Sequence, residues 1–184
     1  MTIKQFLVNI SSVLDQLKID YIITGGVAVT VWGKPRYTAD IDIVVEIDSV
    51  ESVRALILRL KKTSPKSFPD MEMAIDAFKR KSEFNVIESE YGIKADFFIS
   101  DKSEYKKLEI KRGKLKKLDG KMIRFISPED LIISKLMWFK ESQSTRQLED
   151  IISVMDVQKK LDQPYIDKWV KILRIEKEWR ELKK

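Results

Sequence analysis

At 184 residues, with 43% apolar side chains and a formal charge of +6, the chain suits one domain with a real core, or one domain with a small helical extension, and not a disordered tail. It has no cysteine and no histidine, which excludes disulfides, thiol catalysis, zinc–thiolate sites, serine–histidine triads and the usual transition-metal sites. Acid–base and metal chemistry therefore fall to Asp, Glu, Lys, Arg and Tyr, and oxygen donors favour magnesium or manganese.

The opening stretch MTIKQFLVNI lacks the basic-then-apolar layout of a signal peptide, and no apolar run approaches the roughly 20 residues that span a bilayer. A cytoplasmic protein without membrane attachment is expected. The positive charge and a pI near 9.3 lean towards a polyanionic partner.

Ile3, Phe6, Leu7, Ile10, Val13, Leu14 and Leu17 recur at helical spacing and predict an amphipathic first helix. Residues 21–24 read as a strand. Gly25-Gly26 follows, and YIIT-GG-VAVT is equally a two-residue hairpin or a strand that opens a helix, because residues 27–32 are β-branched and poor helix formers. Residues 40–47 are almost continuously apolar and predict a strand buried on both faces. Asp48 and Ser49 cap a helix whose stripe is Val50, Val53, Leu56, Ile57 and Leu60. KKTSPKSFPD, with two prolines, predicts a loop, and a short helix follows around 70–79.

Runs 84–89 and 93–99 flank Glu90, Tyr91 and Gly92 and predict a hairpin. A second hairpin is predicted around Asp119-Gly120, between Lys114–Leu118 and Lys121–Ile126. Ser127-Pro128-Glu129-Asp130 is a helix start, with a capping serine, proline in the first turn and acids facing the dipole. Helices are expected over 128–141, 144–156 and 163–182. The fold class is α+β, a mixed sheet with flanking helices over 1–126, followed by a helical part over 127–184 packed on it.

Asp40 and Asp42 are the oddity. Alternate strand residues share a face, so the two carboxylates project together, with Ile41 on the packed side. Carboxylates held that close repel, and both stay ionised only with a cation or several donors between them. A divalent ion resolves this. Magnesium takes one or two carboxylates plus substrate phosphates, and Asp96, in the middle of the apolar strand of GIKADFFIS, offers a third acid. Its strand is expected beside 40–47, with Asp96 facing the same cleft. If Gly25-Gly26 opens a helix, its backbone N–H groups can cradle phosphates.

Gly25-Gly26, thirteen residues, Asp40-Ile41-Asp42 and a lone Asp96 in a later strand together resemble the nucleotidyltransferase superfamily of polymerase-beta-like folds. The likeness is to its small prokaryotic members, including abortive-infection-type toxins and minimal or antibiotic nucleotidyltransferases, and covers roughly residues 1–155. SPEDLIISKLMWFKESQSTRQLEDI matches their pattern of a helix that brings a lysine, then an arginine and an aspartate, towards the site. The resemblance implies a helix after Gly26. It implies Asp40 and Asp42 as ligands of magnesium or manganese, with Asp96 as third ligand or as the base for the acceptor hydroxyl. It also implies Gly25, Gly26 and Lys135 as nucleotide-phosphate contacts, with ATP or another nucleoside triphosphate as donor. Gly26 stands where many relatives have serine, which removes one hydroxyl contact.

Blander readings accompany several of these residues. Asp40 and Asp42 could be ordinary acids at the start of a strand. Val45, where an EF-hand needs glycine, excludes that loop, and Ala28 excludes a P-loop at Gly33-Lys34. Arg36 and Thr38 are in reach of a triphosphate or belong to a solvated loop. Lys135, beside an apolar stripe, is otherwise a snorkelling surface residue. Arg146 and Asp150, spaced i, i+4, otherwise form a simple helix pair. The run Lys106, Lys107, Lys111, Arg112, Lys114, Lys116, Lys117, Lys121 either tracks a nucleic-acid backbone or protects a hairpin edge. Trp138, Trp169 and Trp179 are expected as core or interface anchors.

The expected activity is metal-dependent transfer of a nucleoside monophosphate to an acceptor hydroxyl, the acceptor being RNA such as tRNA, a protein hydroxyl or a small aminoglycoside-like molecule. A non-catalytic module of the same fold, such as one half of a toxin–antitoxin pair, is the competing reading. A homodimer or an antitoxin partner stays open.

Overall fold

The computed structural model describes residues 1–182; positions 183 and 184, the end of the expected helical part, lie outside the described residues. Helix α1 (Ile3–Gln16) starts from a capping box in which Thr2 and Gln5 satisfy each other's backbone N–H groups. Then come β1 (Asp20–Thr24), α2 (Gly25–Trp32), β2 (Asp40–Glu46), α3 (Val50–Thr63), β3 (Ser67–Pro69), α4 (Met71–Arg80), β4 (Glu83–Glu88) and β5 (Ile93–Ile99). The chain continues with α5 (Glu104–Lys111), β6 (Lys114–Leu118), β7 (Lys121–Phe125), α6 (Pro128–Ser142), α7 (Thr145–Val157), α8 (Gln163–Ile172) and α9 (Glu176–Leu182).

The strands form one mixed sheet in the order β3-β4-β5-β2-β1-β7-β6. Antiparallel β1–β2 and β4–β5 pairs flank the central pair, in which β2 runs parallel to β5. Ile41, Ile43 and Val45 of β2 join the same apolar core as Ala95 and Phe97 of β5, Ile10 and Leu14 of α1, and Leu56 and Leu60 of α3. The fold class is the expected one. Gly25 opens α2 at a φ of +59°, so the glycine pair begins a helix and not a hairpin.

Four elements differ from expectation. The proline-rich segment after α3 contains the edge strand β3, paired with β4; Pro69 ends it, where the missing N–H breaks no interior ladder. Helix α5 was not foreseen, although Ser103 caps it, because its exposed lysines hide a face on which Tyr105, Glu109 and Ile110 are buried. The basic run therefore divides between a helix and a hairpin. Within it Lys106 pairs with Glu109, Arg112 with Glu129 and Asp130, and Lys121 with Asp15. The expected last helix is broken at Arg174, whose φ of +57° turns the chain between α8 and α9.

Asp119 and Gly120 both take positive φ, as the tight turn between β6 and β7 requires. Ser127 caps α6, accepting from the Asp130 N–H at 3.1 Å and donating to the Asp130 carboxylate at 2.6 Å. Asp130 and Glu129 do more than face the dipole, since both bind Arg112, whose guanidinium stacks 3.8 Å over Tyr165. Ser127 is fully buried, so Ser127→Ala is expected to cost about 1–2 kcal/mol in urea unfolding.

Candidate active site

Parallel pairing sets Asp42 opposite Asp96 and Asp40 opposite Lys94, while β4 sets Asn85 against Asp96 on the other side. By strand alternation these side chains share one face. They line a cleft of about 390 Å³ together with Gly26, Arg36, Thr38, Glu83, Phe98, Lys135, Trp138, Arg146, Gln147 and Asp150. Of the catalytic, metal and nucleotide-binding residues predicted from sequence, Gly25 alone is not part of the cleft lining; it packs against Asp42. A Cβ there would lie 1.7 Å from an Asp42 carboxylate oxygen. A Cβ on Gly26 would lie 2.6 Å from the Thr38 hydroxyl and 3.2 Å from Arg36. A serine at this position therefore requires the Thr38 side chain to shift.

That loop is held by α7. The Lys34 N–H donates to Ser153 Oγ at 2.7 Å, and Lys34 pairs with Asp156 at 2.7 Å. Gly33 permits the approach, because a Cβ there would meet Ser153 Oγ at 2.6 Å. Arg36 grips Asp150 with both arms, Nε at 2.7 Å and Nη2 at 2.8 Å, and Lys135 Nζ reaches the same carboxylate at 2.9 Å. Asp150 thus joins α7, α6 and the loop. Arg146 and Asp150 do not form the simple helix pair that was the alternative reading: Asp150 pairs with Arg36 and Lys135, and both residues line the cleft. Lys135 is buried and ion-paired, not a snorkelling surface lysine. Trp138 is 42% exposed and meets Phe98 edge-on, so it belongs to the cleft wall and not the core, whereas Trp169 and Trp179 are buried as expected.

Burial pushes the Asp42 carboxyl above its ordinary value; Lys135 and the Gly26 N–H oppose this, while Asp96 and Asp40 add to it. Asp150 behaves in the opposite way. Burial would raise it, but hydrogen bonds from Arg36 and Lys135 outweigh that and hold it below the ordinary aspartate value. Among the described residues no group of three or more acidic side chains is arranged to hold a metal ion. Asp96 is engaged instead by Lys94, Nζ to Oδ2 at 2.8 Å. The Asp40–Asp42 pair still suits an ion that completes its shell with phosphate oxygens and water.

Several cleft residues had gone unnoticed in the sequence: Lys94, Asn85, Glu83, Gln147 and the functional face of Trp138. Lys94 and Asn85 follow from register, which the sequence does not print; Trp138 lies one turn beyond Lys135 and could have been found from that spacing.

Solved structures with this architecture span most of the chain. A nucleotidyltransferase-like antigenic protein from Paracoccidioides brasiliensis is 20% identical at a TM-score of 0.56, covering 83% of this chain and 75% of its own. The fold is that of the nucleotidyltransferases. ANT(2″)-Ia, in complex with adenylyl-2″-tobramycin, is 13% identical with a TM-score of 0.57 over 100% of this chain and 98% of its own. The lincosamide antibiotic adenylyltransferase LnuA, lincomycin-bound, is 16% identical with a TM-score of 0.54 over 84% and 97%. No protein-family model matches the chain, and no curated protein matches it in sequence.

Two outcomes follow from this geometry. Gly25→Ala places a methyl on Asp42 and forces a left-handed backbone on alanine, and is expected to lose roughly 1–3 kcal/mol. Asp150→Ala strands two cations and is expected to cost about 3–5 kcal/mol at neutral pH. The folded pKa of Asp150 lies below its unfolded value, so its contribution is complete above the ordinary aspartate range and is lost as pH falls through the lower folded value. Urea midpoints of wild type and Asp150→Ala should converge in that acid window.

Proposed function

We propose that the chain is a metal-dependent nucleotidyltransferase. The observation that carries this is the register of β2 and β5, which brings Asp40, Asp42 and Asp96 to one face in front of the α2 N-terminus. Asp40 and Asp42 would hold magnesium or manganese, which supplies charge neutralisation of the triphosphate and polarisation of its α-phosphorus. Gly26 lines the cleft at the start of α2, beside Asp42, where the helix N-terminus favours a phosphate oxygen. Lys135 and Arg36, pre-positioned by Asp150, present positive charge to the same cleft, and Thr38 presents a hydroxyl. The acceptor oxygen attacks the α-phosphorus in line, the bond to the β-phosphate breaks, and pyrophosphate leaves. The acceptor proton passes to Asp96.

The acceptor has room beside this cleft. A cavity of about 520 Å³ shares Glu83, Phe98 and Trp138 with it, and is further lined by Thr24, Ser82, Ser100 and Ser134. The Thr24 hydroxyl is buried without a hydrogen-bond partner, on the residue paired with Asp42. A cavity of this size and polarity supports a small hydroxyl-bearing acceptor.

Pyrophosphate release from each of the four nucleoside triphosphates, with magnesium and a cell extract as acceptor source, tests the reading. Wild type is expected to release pyrophosphate with one of them, and Asp42→Asn to lose at least 100-fold, on the order expected for a charge-stabilising group. The metal-free variant should be as stable as wild type or more so, because a buried repelling charge has gone. A clear loss of stability would instead make Asp42 structural.

A further inference from the structure

β5 carries a lysine that the acid motif does not call for. Lys94 stands opposite Asp40 in the parallel ladder, two residues before Asp96 and on the same face. Its ammonium binds Asp96 Oδ2 at 2.8 Å. It stands among the three carboxylates, bound to Asp96 and across the ladder from Asp40.

A lysine two residues from an aspartate on a strand is by itself an ordinary exposed pair. Here the shared face is the cleft, Asp40 lies directly across, and two of the three other cations lining the cleft are committed elsewhere. Arg36 and Lys135 both serve Asp150. The Lys94–Asp96 contact occupies one of the two Asp96 oxygens and offsets one of the three carboxylate charges on this face.

We propose that the Lys94 ammonium takes the place of a second divalent ion, so that the chain works with a single ion at Asp40 and Asp42 and a lysine at Asp96. This rests on the nucleotidyl-transfer reading above. It also chooses between the two roles open to Asp96: with Oδ2 on Lys94, Oδ1 remains for the acceptor hydroxyl, and Asp96 serves as base and not as ligand. Lys94 is a positioning residue, acting through Asp96 and through the charge of the cleft.

Manganese binding tests this without turnover. Free Mn²⁺ would be counted by its paramagnetic resonance signal during titration of wild type, Lys94→Met and Lys94→Arg, with and without α,β-methylene analogues of the four nucleoside triphosphates. With the nucleotide that binds, wild type and Lys94→Arg are expected to take up one ion per chain and Lys94→Met two. Without nucleotide, Lys94→Met should bind its first ion about tenfold more tightly than wild type, since one competing charge has been removed. Two ions in wild type overturn the proposal whether or not the methionine variant folds, and so does a single ion in a folded Lys94→Met. Mn²⁺ binding by none of the three proteins, with any nucleotide, overturns the nucleotidyl-transfer reading as well.

Discussion

Three carboxylates on one face of two adjacent central strands repel one another, and the rest of the site is arranged around that repulsion. β2 and β5 run parallel with Asp42 opposite Asp96, and Asp40 is one alternation away. On the other face of the same strands Ile41, Ile43, Val45, Ala95 and Phe97 are fully buried. Burial of that apolar face fixes the register, because a slip by one residue would carry the acids into the core. The apolar face therefore positions the acids, and compensation on the polar face comes from Lys94, Lys135 and the Gly26 N–H.

Asp150 is the second fixed point. One buried carboxylate gathers Arg36 from the loop before β2 and Lys135 from α6, and it is supplied by α7. Helices α6 and α7 are thus part of the cleft and not an appendage to it. Gly33 and Lys34 extend the same joint by docking the loop on Ser153 and Asp156. The pair that superficially resembles a phosphate-binding motif is a helix-to-loop contact.

Much of this was legible in the sequence, for identifiable reasons. The acids at 40 and 42 stand out because an otherwise apolar strand has no ordinary use for them, and Asp96 stands out in the same way. Capping residues marked the starts of α3 and α6, and Asp119-Gly120 marked the tight hairpin. What escaped depends on partners distant in the chain. Lys94 matters because of Asp40 across the ladder, and Asp150 because of Arg36 and Lys135 rather than its helical neighbour Arg146. Helix α5 was obscured by a lysine-rich surface, although its buried face and its capping serine are both present in the sequence.

The central claim is that the cleft moves the α-phosphoryl end of a nucleotide. The most direct test incubates the protein with magnesium, an extract of small molecules, total RNA and protein, and nucleoside triphosphates labelled at either the α or the γ position. The account predicts that α-label becomes attached to one acceptor while γ-label is released as pyrophosphate. Label arriving from the γ position, or from neither position despite nucleotide binding, would contradict it.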